Sequence, residues 1–520
     1  MLVILAISGC GLGEWARNGA KVGPNYKRPL AAVAHHWIDY QDPQIIHGEQ
    51  DLAHWWGVFN DPILNSLIHD AYAQNLSLRG AGERIAEARA RRGIAVGNYF
   101  PQSQTAGGSY TANKASNQTV NGNVSEQWYS NWEAGFNVSW ELDLWGRFRR
   151  SVEAADADLQ ASVADFDNVL VVLLADVAAN YVQYRTFQER IVVAQRNIEV
   201  QEKSYQLARD KFDAGASTER DVQQSRQVLE QTRASIPQLQ ASERQAANAL
   251  CVLLGLPPHD LAARLDGTAT SSTATTTETA TAPTTAPAGP GIPTAPPDVA
   301  MGIPADLLRR RPDVRRFERQ AAAQSALIGV AKADYYPRLS LLGSIGVQGE
   351  YFGDMFHTPG SVAGSVGPGF QWDILNYGRI ESNVELQKAR FRELVYAYQE
   401  SVLRAGREAE DAAVGFFKSQ ERARLLAESV NAAARTVEIT HDQYREGVID
   451  FTPVFLFEGT LAEQQDQLAV ARGQIALSLV DLYRALGGGW EMRLPNEGHE
   501  SSTTQPGSTH GTTRPTVASK

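Results

Sequence analysis

The sequence predicts an α+β protein made of two copies of one unit, each with strands first and a long helical hairpin after them. Three observations carry that reading. A string of residues recurs at a fixed offset, the hydrophobic period changes within each copy, and a segment unable to bury a core separates the copies.

The recurrence is read directly. Trp140-Glu141-Leu142-Asp143-Leu144-Trp145-Gly146-Arg147 answers Trp372-Asp373-Ile374-Leu375-Asn376-Tyr377-Gly378-Arg379, an offset of 232 residues (372 − 140). Phe212 and Gly215 answer Tyr444 and Gly447, and Leu254-Gly255 answers Leu486-Gly487, at the same offset. Upstream, Tyr99-Phe100-Pro101 answers Tyr335-Tyr336-Pro337 at 236. The change falls where hairpin tips are expected and insertions cost little.

The strands are read next. Trp132, Ala134, Phe136, Val138, Trp140 and Leu142 alternate with Glu133, Gly135, Asn137, Ser139, Glu141 and Asp143. That period of two gives a strand with one apolar and one polar face. Val362 to Ile374 repeats the pattern, Leu339 to Val347 starts another strand, and a weaker one runs from Pro101 through Tyr110. Four strands of roughly 9–11 residues match a tilted membrane strand, yet the smallest membrane barrel needs about eight. Such strands pair with other chains, or they belong to a soluble sandwich. Trp128, Tyr129, Trp132, Trp140 and Trp145 suit an interfacial belt and suit a core equally.

Past Gly146 the pattern turns helical. Phe166, Leu170, Leu173, Val177, Tyr181, Tyr184, Phe187 and Ile191 begin a series that continues to Phe212 at the coiled-coil step of about 3.5 residues. No Gly or Pro interrupts the run between Gly146 and Gly215, so the helix is on the order of 100 Å long. Gly215 stops it and Ser217 or Thr218 caps the return helix. Pro237 predicts a kink or break in that return. The second copy repeats this from Gly378 to Gly447 and back to Leu486, with Gly406 and Gly415 predicted to weaken or bend its first helix.

The chain divides accordingly. Residues 1–10 read as an export signal, 11–265 as the first repeat, 266–300 as a Thr/Ala/Pro-rich linker, 301–490 as the second repeat and 491–520 as a disordered tail. The formal charge of −11 argues against a nucleic-acid partner. No hydrolase triad, metalloprotease, phosphate-loop or dinucleotide motif occurs in a suitable context, so no enzyme, cofactor or metal is expected. Cys251 sits in an apolar run and reads as a small buried hydrophobe.

Several strings resemble a known family. Ile7-Ser8-Gly9-Cys10, after an apolar stretch, resembles a bacterial lipobox and implies acylation of Cys10. VGPNYKRP (Val22 to Pro29), LLRRRPDVRRFERQ (Leu307 to Gln320), IGVAKADYYPRLSL (Ile328 to Leu341), WELDLWGR, and the hairpin turns FDAG and YREG resemble the TolC-like outer-membrane factors, in their lipoprotein (NodT/OprM-type) branch. The resemblance spans residues 20–490.

That resemblance implies a homotrimer in which each chain gives four strands to one outer-membrane β-barrel continued by a periplasmic α-helical barrel. It implies a lipid-anchored outer-membrane location and the role of exit duct in a tripartite efflux system. A periplasmic adaptor and an inner-membrane transporter of RND type would be the partners. A type I protein-secretion channel and a non-conducting coiled-coil lipoprotein are the alternatives.

The family's gate lies at the hairpin tips, at acidic positions of the second hairpin. Here those positions, counted from Gly447, hold Pro453 and Leu456. Nearby stand Asp450 and Glu458 with Phe451, Phe455 and Phe457 between them, while the first hairpin keeps an acid as Asp221. The expected gate is Asp221, Tyr444, Asp450, Phe451, Phe455 and Glu458. The phenylalanines equally suit plain packing of the coil tip. Arg309, Arg310 and Arg311 are expected to pair with acids between strands and hairpins.

Overall fold

The computed structural model describes residues 11–41, 43–46, 52–114, 128–266, 291–300, 309–357 and 360–494. The expected signal with Cys10, most of the linker and most of the tail lie outside the described residues.

The first repeat holds α1 (Gly11–Arg17), β1 (Ile45–Ile46), a 3-10 turn at Trp55–Phe59, α2 (Pro62–Gln74), α3 (Leu76–Gly97), β2 (Ser103–Lys114), β3 (Trp128–Leu142), α4 (Arg147–Asp213), α5 (Glu219–Leu253) and α6 (Ala262–Leu265). The inter-repeat segment ends in β4 (Val299–Ala300), and after it come α7 (Pro312–Ala333), β5 (Arg338–Gly349), α8 (Asp354–His357), β6 (Val362–Gln371), α9 (Arg379–Arg445), α10 (Phe451–Ala485) and a 3-10 turn at Trp490–Arg493.

The duplication is plain in the coordinates. Helices α4 and α9 each run 67 residues and α5 and α10 each run 35. At 1.5 Å per residue the longer pair spans about 100 Å. Gly146 (φ 79) and Gly378 (φ 81) turn the chain from strand into helix. Gly215 (φ 71) and Gly447 (φ 76) end the long helices. Ala216 N–H bonds Lys211 O and Gly215 N–H bonds Phe212 O, a Schellman pair that satisfies the last carbonyls. Val448 and Gly447 repeat it on Gln443 and Tyr444.

No break interrupts these helices. Helix α5 continues through Pro237, because a proline forfeits one hydrogen bond while packing along α4 holds the rest of the helix. Helix α9 likewise continues through Gly406 and Gly415. One boundary is corrected. Residues 491–494, assigned to the tail, are fixed in place, because Arg493 grips both oxygens of the buried Asp167 carboxylate through Nε and Nη2, one edge of its guanidinium.

One core holds the middle of the molecule. Leu64, Leu67 and Ile68 of α2 pack with Leu170, Leu174 and Tyr181 of α4, Leu250 of α5, Phe416 of α9 and Leu479 and Tyr483 of α10. The Trp55 ring stacks on Tyr483 with centroids 5.2 Å apart. Cys251 is fully buried there, as its apolar setting predicts. Two residues of the inter-repeat segment close the girdle, Ile45 pairing with Val299 and Ile46 with Ala300 in parallel.

The four long strands form one antiparallel sheet in the order β2-β3-β5-β6. Register places Phe136 beside Ile345, Trp140 beside Leu341 and Leu339 beside Phe370, so most large apolar residues of the sheet share one face, Leu342 lying on the other. Phe136, Ile345, Val366 and Phe370 are nevertheless exposed. Among the described residues no second layer covers either face, which removes the sandwich reading, and β2 and β6 leave both edges unpaired. No helix among the described residues is long and apolar enough to cross a membrane.

Candidate functional site at the hairpin tips

The two hairpin turns meet at their tips. Thr218 caps α5, its N–H donating to the Asp221 carboxylate at 3.3 Å, so Asp221 is held inward and buried. Asp450 stands at the N-terminal boundary of α10 in the other hairpin, and Arg220 joins the tips by reaching its carboxylate at 3.1 Å. Both partners of that bridge are more than half exposed, and such pairs contribute little to stability.

Beneath this bridge a small core holds the tips together. Phe451 packs edge-on against Tyr444, with Ala208 and Val454 completing the cluster and Phe455 against its side. The Lys211 ammonium lies 4.3 Å over the Tyr444 ring and donates to the Tyr444 carbonyl. Burial, with the Asp221 charge adding to it, raises the pKa of the Tyr444 hydroxyl.

Glu458 stands apart from the other expected gate residues. It lies two turns into α10, buried, and accepts from Ser204 Oγ of α4 and from His441 Nε2 of α9 at 2.7 Å. It therefore ties three helices together. The exposed side chains nearby are Asp450, Val448, Leu456 and Phe457. So the structure brings Tyr444, Phe451 and Phe455 into one packed cluster, sets Asp450 on the surface, and buries Asp221 and Glu458. Sequence reading missed Arg220, Ser204 and His441, because pairing between hairpins leaves no periodic mark in a single strand of text.

Away from the tips, ion pairs brace the girdle as the arginine run predicts. Arg311 is buried and reaches Asp313 at 2.8 Å, Glu408 at 2.7 Å and the Ala485 carbonyl at 2.7 Å. Arg310 bridges to Glu491 at 2.9 Å. Above it the VGPNYKRP segment is strapped down. The Arg150 guanidinium holds the carbonyls of Val22 and Gly23 and the Asn25 side chain at 2.9–3.1 Å. Glu153 is clamped between Arg150 and Lys21. Burial opposes ionisation of Glu153, but those two cations outweigh it and hold its carboxyl below the usual range. Gly23 (φ 87) lies against the backbone of Gly329, where a side chain on either would collide.

Known proteins resemble this chain in sequence and fold. The outer membrane efflux protein family profile matches residues 67–256 and 303–488. Nodulation protein T of Rhizobium leguminosarum bv. trifolii is 30% identical over 481 residues, covering 91% of this chain and 95% of that protein. Outer membrane protein OprJ of Pseudomonas aeruginosa is 28% identical, covering 94% and 95%. The solved structure of the outer-membrane channel OprN superposes with a TM-score of 0.81 at 32% identity, covering 90% of this chain and 99% of that one. The chain belongs to the outer membrane efflux protein family.

Proposed function

We propose that this protein is the outer-membrane exit duct of a tripartite efflux system, passively conducting what an inner-membrane transporter of RND type exports through a periplasmic adaptor. The sheet carries the reading. Four strands of 10–15 residues present an uncovered apolar face and two open edges, which suits a sheet completed in lipid by other copies. Three copies give twelve strands, enough to close a barrel around a pore. The long hairpins then extend the duct through the periplasm, and an acyl chain on Cys10 adds a lipid anchor. Relatives named for pyoverdine export and as a toluene efflux pump component support small-molecule export.

At the tips we propose a gate in which Asp450 supplies the charge, with exposed Leu456 and Phe457 beside it. Tyr444, Phe451 and Phe455 form the packed cluster that supports the turn, with Asp221 fixing the first hairpin and Glu458 binding the helices together. The test is ion conduction by the purified protein in planar bilayers. A conducting pore whose cation preference falls in Asp450→Ala is expected. Absence of conductance sinks the duct, and unchanged selectivity in Asp450→Ala sinks the charged gate.

A further inference from the structure

Helix α4 buries a seam at Ile191, Ala194, Asn197, Gln201, Ser204 and Ala208, spaced three and four residues apart. The seam is apolar at both ends and polar at three consecutive positions in its middle. Facing the polar stretch stand Glu458 of α10, which is buried, and His441 of α9. His441 Nε2 donates to the Glu458 carboxylate at 2.7 Å, and Ser204 Oγ donates to the same oxygen. Burial of apolar groups holds an ordinary coil seam, whereas a polar layer lowers stability and is best attested as a device for register or switching.

The internal repeat supplies a comparison. At the 232 offset His441 answers Arg209, Glu458 answers Arg226, and Gln201 answers Ala433. The layer is therefore no property of the repeated unit. It was added where α4, α9 and α10 meet.

Packing around the layer is loose. A cavity of about 260 Å³ between α4, α9 and α10 is lined by Asn197, Gln201, Val437 and Glu458. A second, of about 660 Å³ between α4, α5 and α10, is lined by Asn197, Val228 and Phe455. The side-chain carbonyl of buried Gln201 has no hydrogen-bond donor. Towards the girdle the same two helices are fixed. Arg190 grips both oxygens of Asp466 at 2.7 and 2.9 Å, and Gly473 lies so close to Thr186 that a side chain there would collide. Towards the tip, Ala208 packs with Phe451 and Val454. The polar layer is the soft stretch between two firm ones.

We propose that His441 and Glu458 form a proton-operated latch, holding the second hairpin against α4 when His441 is protonated and easing it when the imidazole is neutral. The latch sets how readily the tips open, a part of the proposal that rests on the duct reading above. An imidazolium against a buried carboxylate makes a charge-assisted bond. A neutral imidazole leaves that charge buried with neutral donors alone. Histidine is the side chain that ordinarily changes charge between about pH 5 and 8.

The other charged groups around the layer do not share that window. Glu189 and Arg196 of α4 and Arg472 of α10 line the smaller cavity. Arg190 of α4 with Glu463 and Asp466 of α10 line the larger one, to which α5 contributes only uncharged side chains. On α9, Glu438 and Arg445 flank His441 and pair with Arg435 and Asp442. Lys211 of α4 lies nearer the tip, over Tyr444. Carboxylates, guanidinia and ammonium groups ordinarily keep their charge from about pH 5 to 8, so His441 carries the response. The latch is tight at the acid end of that range and loose at the alkaline end.

The full-length protein tests this when read two ways at about pH 5.5 and pH 8, by melting of its helical dichroism in detergent and by the open fraction of channels in planar bilayers. The unaltered protein is expected to melt about 2 °C higher at the acid pH and to be open about fivefold more at the alkaline pH. His441→Gln, which keeps a neutral donor, should lose both differences and behave as the unaltered protein does at the alkaline pH. His441→Arg, which keeps a cation, should behave as the acid form at both. Equal pH dependence of melting in the unaltered protein and His441→Gln overturns the latch. A His441-dependent melting shift with a pH-independent open fraction overturns its control of opening. The same shift with no conduction at any pH supports the latch and refutes the duct.

Discussion

Tyr181 in the girdle and Phe136 in the sheet are large aromatics in opposite surroundings. Tyr181 is fully buried, its hydroxyl donates to Asp61 at 2.7 Å, and Arg185 donates to it in turn. Phe136 stands exposed beside Ile345, and every strand around it has the same uncovered face. The girdle satisfies its polar groups and buries its apolar ones within one chain. The sheet does neither at its edges. The contrast teaches that this chain contains a finished folding unit and an unfinished one, and that the unfinished one is where the function proposed above resides.

The contrast can be broken at its strongest point first. Asp167 is fully buried and chelated by Arg493, so Asp167→Ala strands a guanidinium in the girdle. A loss of about 3 kcal/mol is expected in chemical denaturation of the helical body. A change under about 0.5 kcal/mol would mean the girdle does not depend on that pair.

Next comes the sheet. Val366→Arg places a charge on an exposed apolar site, and on the lipid face that costs about 2–4 kcal/mol near the bilayer midplane. Expected is a helical body with unchanged far-ultraviolet dichroism and melting in detergent, but much less protein in outer-membrane fractions. Normal insertion would argue that this face does not meet lipid.

The strap is a smaller lever. Gly23→Val combines a positive φ with a collision at Gly329, so a loss of about 1–3 kcal/mol is expected, seen as faster proteolysis of residues 11–37. Acid acts on the same place. Since the folded Glu153 pKa is lowered, its stabilisation is present above the unfolded carboxyl pKa. It is lost as pH falls through the folded one, below the usual range near pH 4. Cleavage near Lys21 should rise in that window in the native protein and show no such rise in Glu153→Gln.

The smallest expected effect separates the two acids at the tips. Glu458→Ala leaves Ser204 and His441 without their shared acceptor, for about 1–3 kcal/mol. Asp450→Ala, at an exposed bridge, should cost no more than about 1 kcal/mol and act on conduction instead. Equal melting losses in the two variants would erase the distinction drawn here.

Much of this was legible in the text of the chain. Period-two runs around Phe136 and Phe370 and the unbroken run from Gly146 to Gly215 mark strands and helices, because each periodicity is a direct imprint of which face is apolar. The pairing of Glu458 with His441 was not legible, since contact between hairpins depends on how two rods lie side by side. Nor was the continuity of α5 through Pro237, where neighbouring packing overrides a local preference. The arginine run was read correctly as structural, though not its reach to Glu408 and the Ala485 carbonyl, 97 and 174 residues away.

Hydrogen exchange at the amides of β2 and β6 tests the central claim most directly, compared between assembled protein in detergent and protein dissociated to single chains. The account predicts that the outward-facing amides of Ser103–Lys114 and Val362–Gln371 are protected only in the assembly, while those lining the Tyr181 girdle stay protected in both. Equal protection of the two edge strands in the single chain would contradict it, because the sheet would then be complete without a second copy.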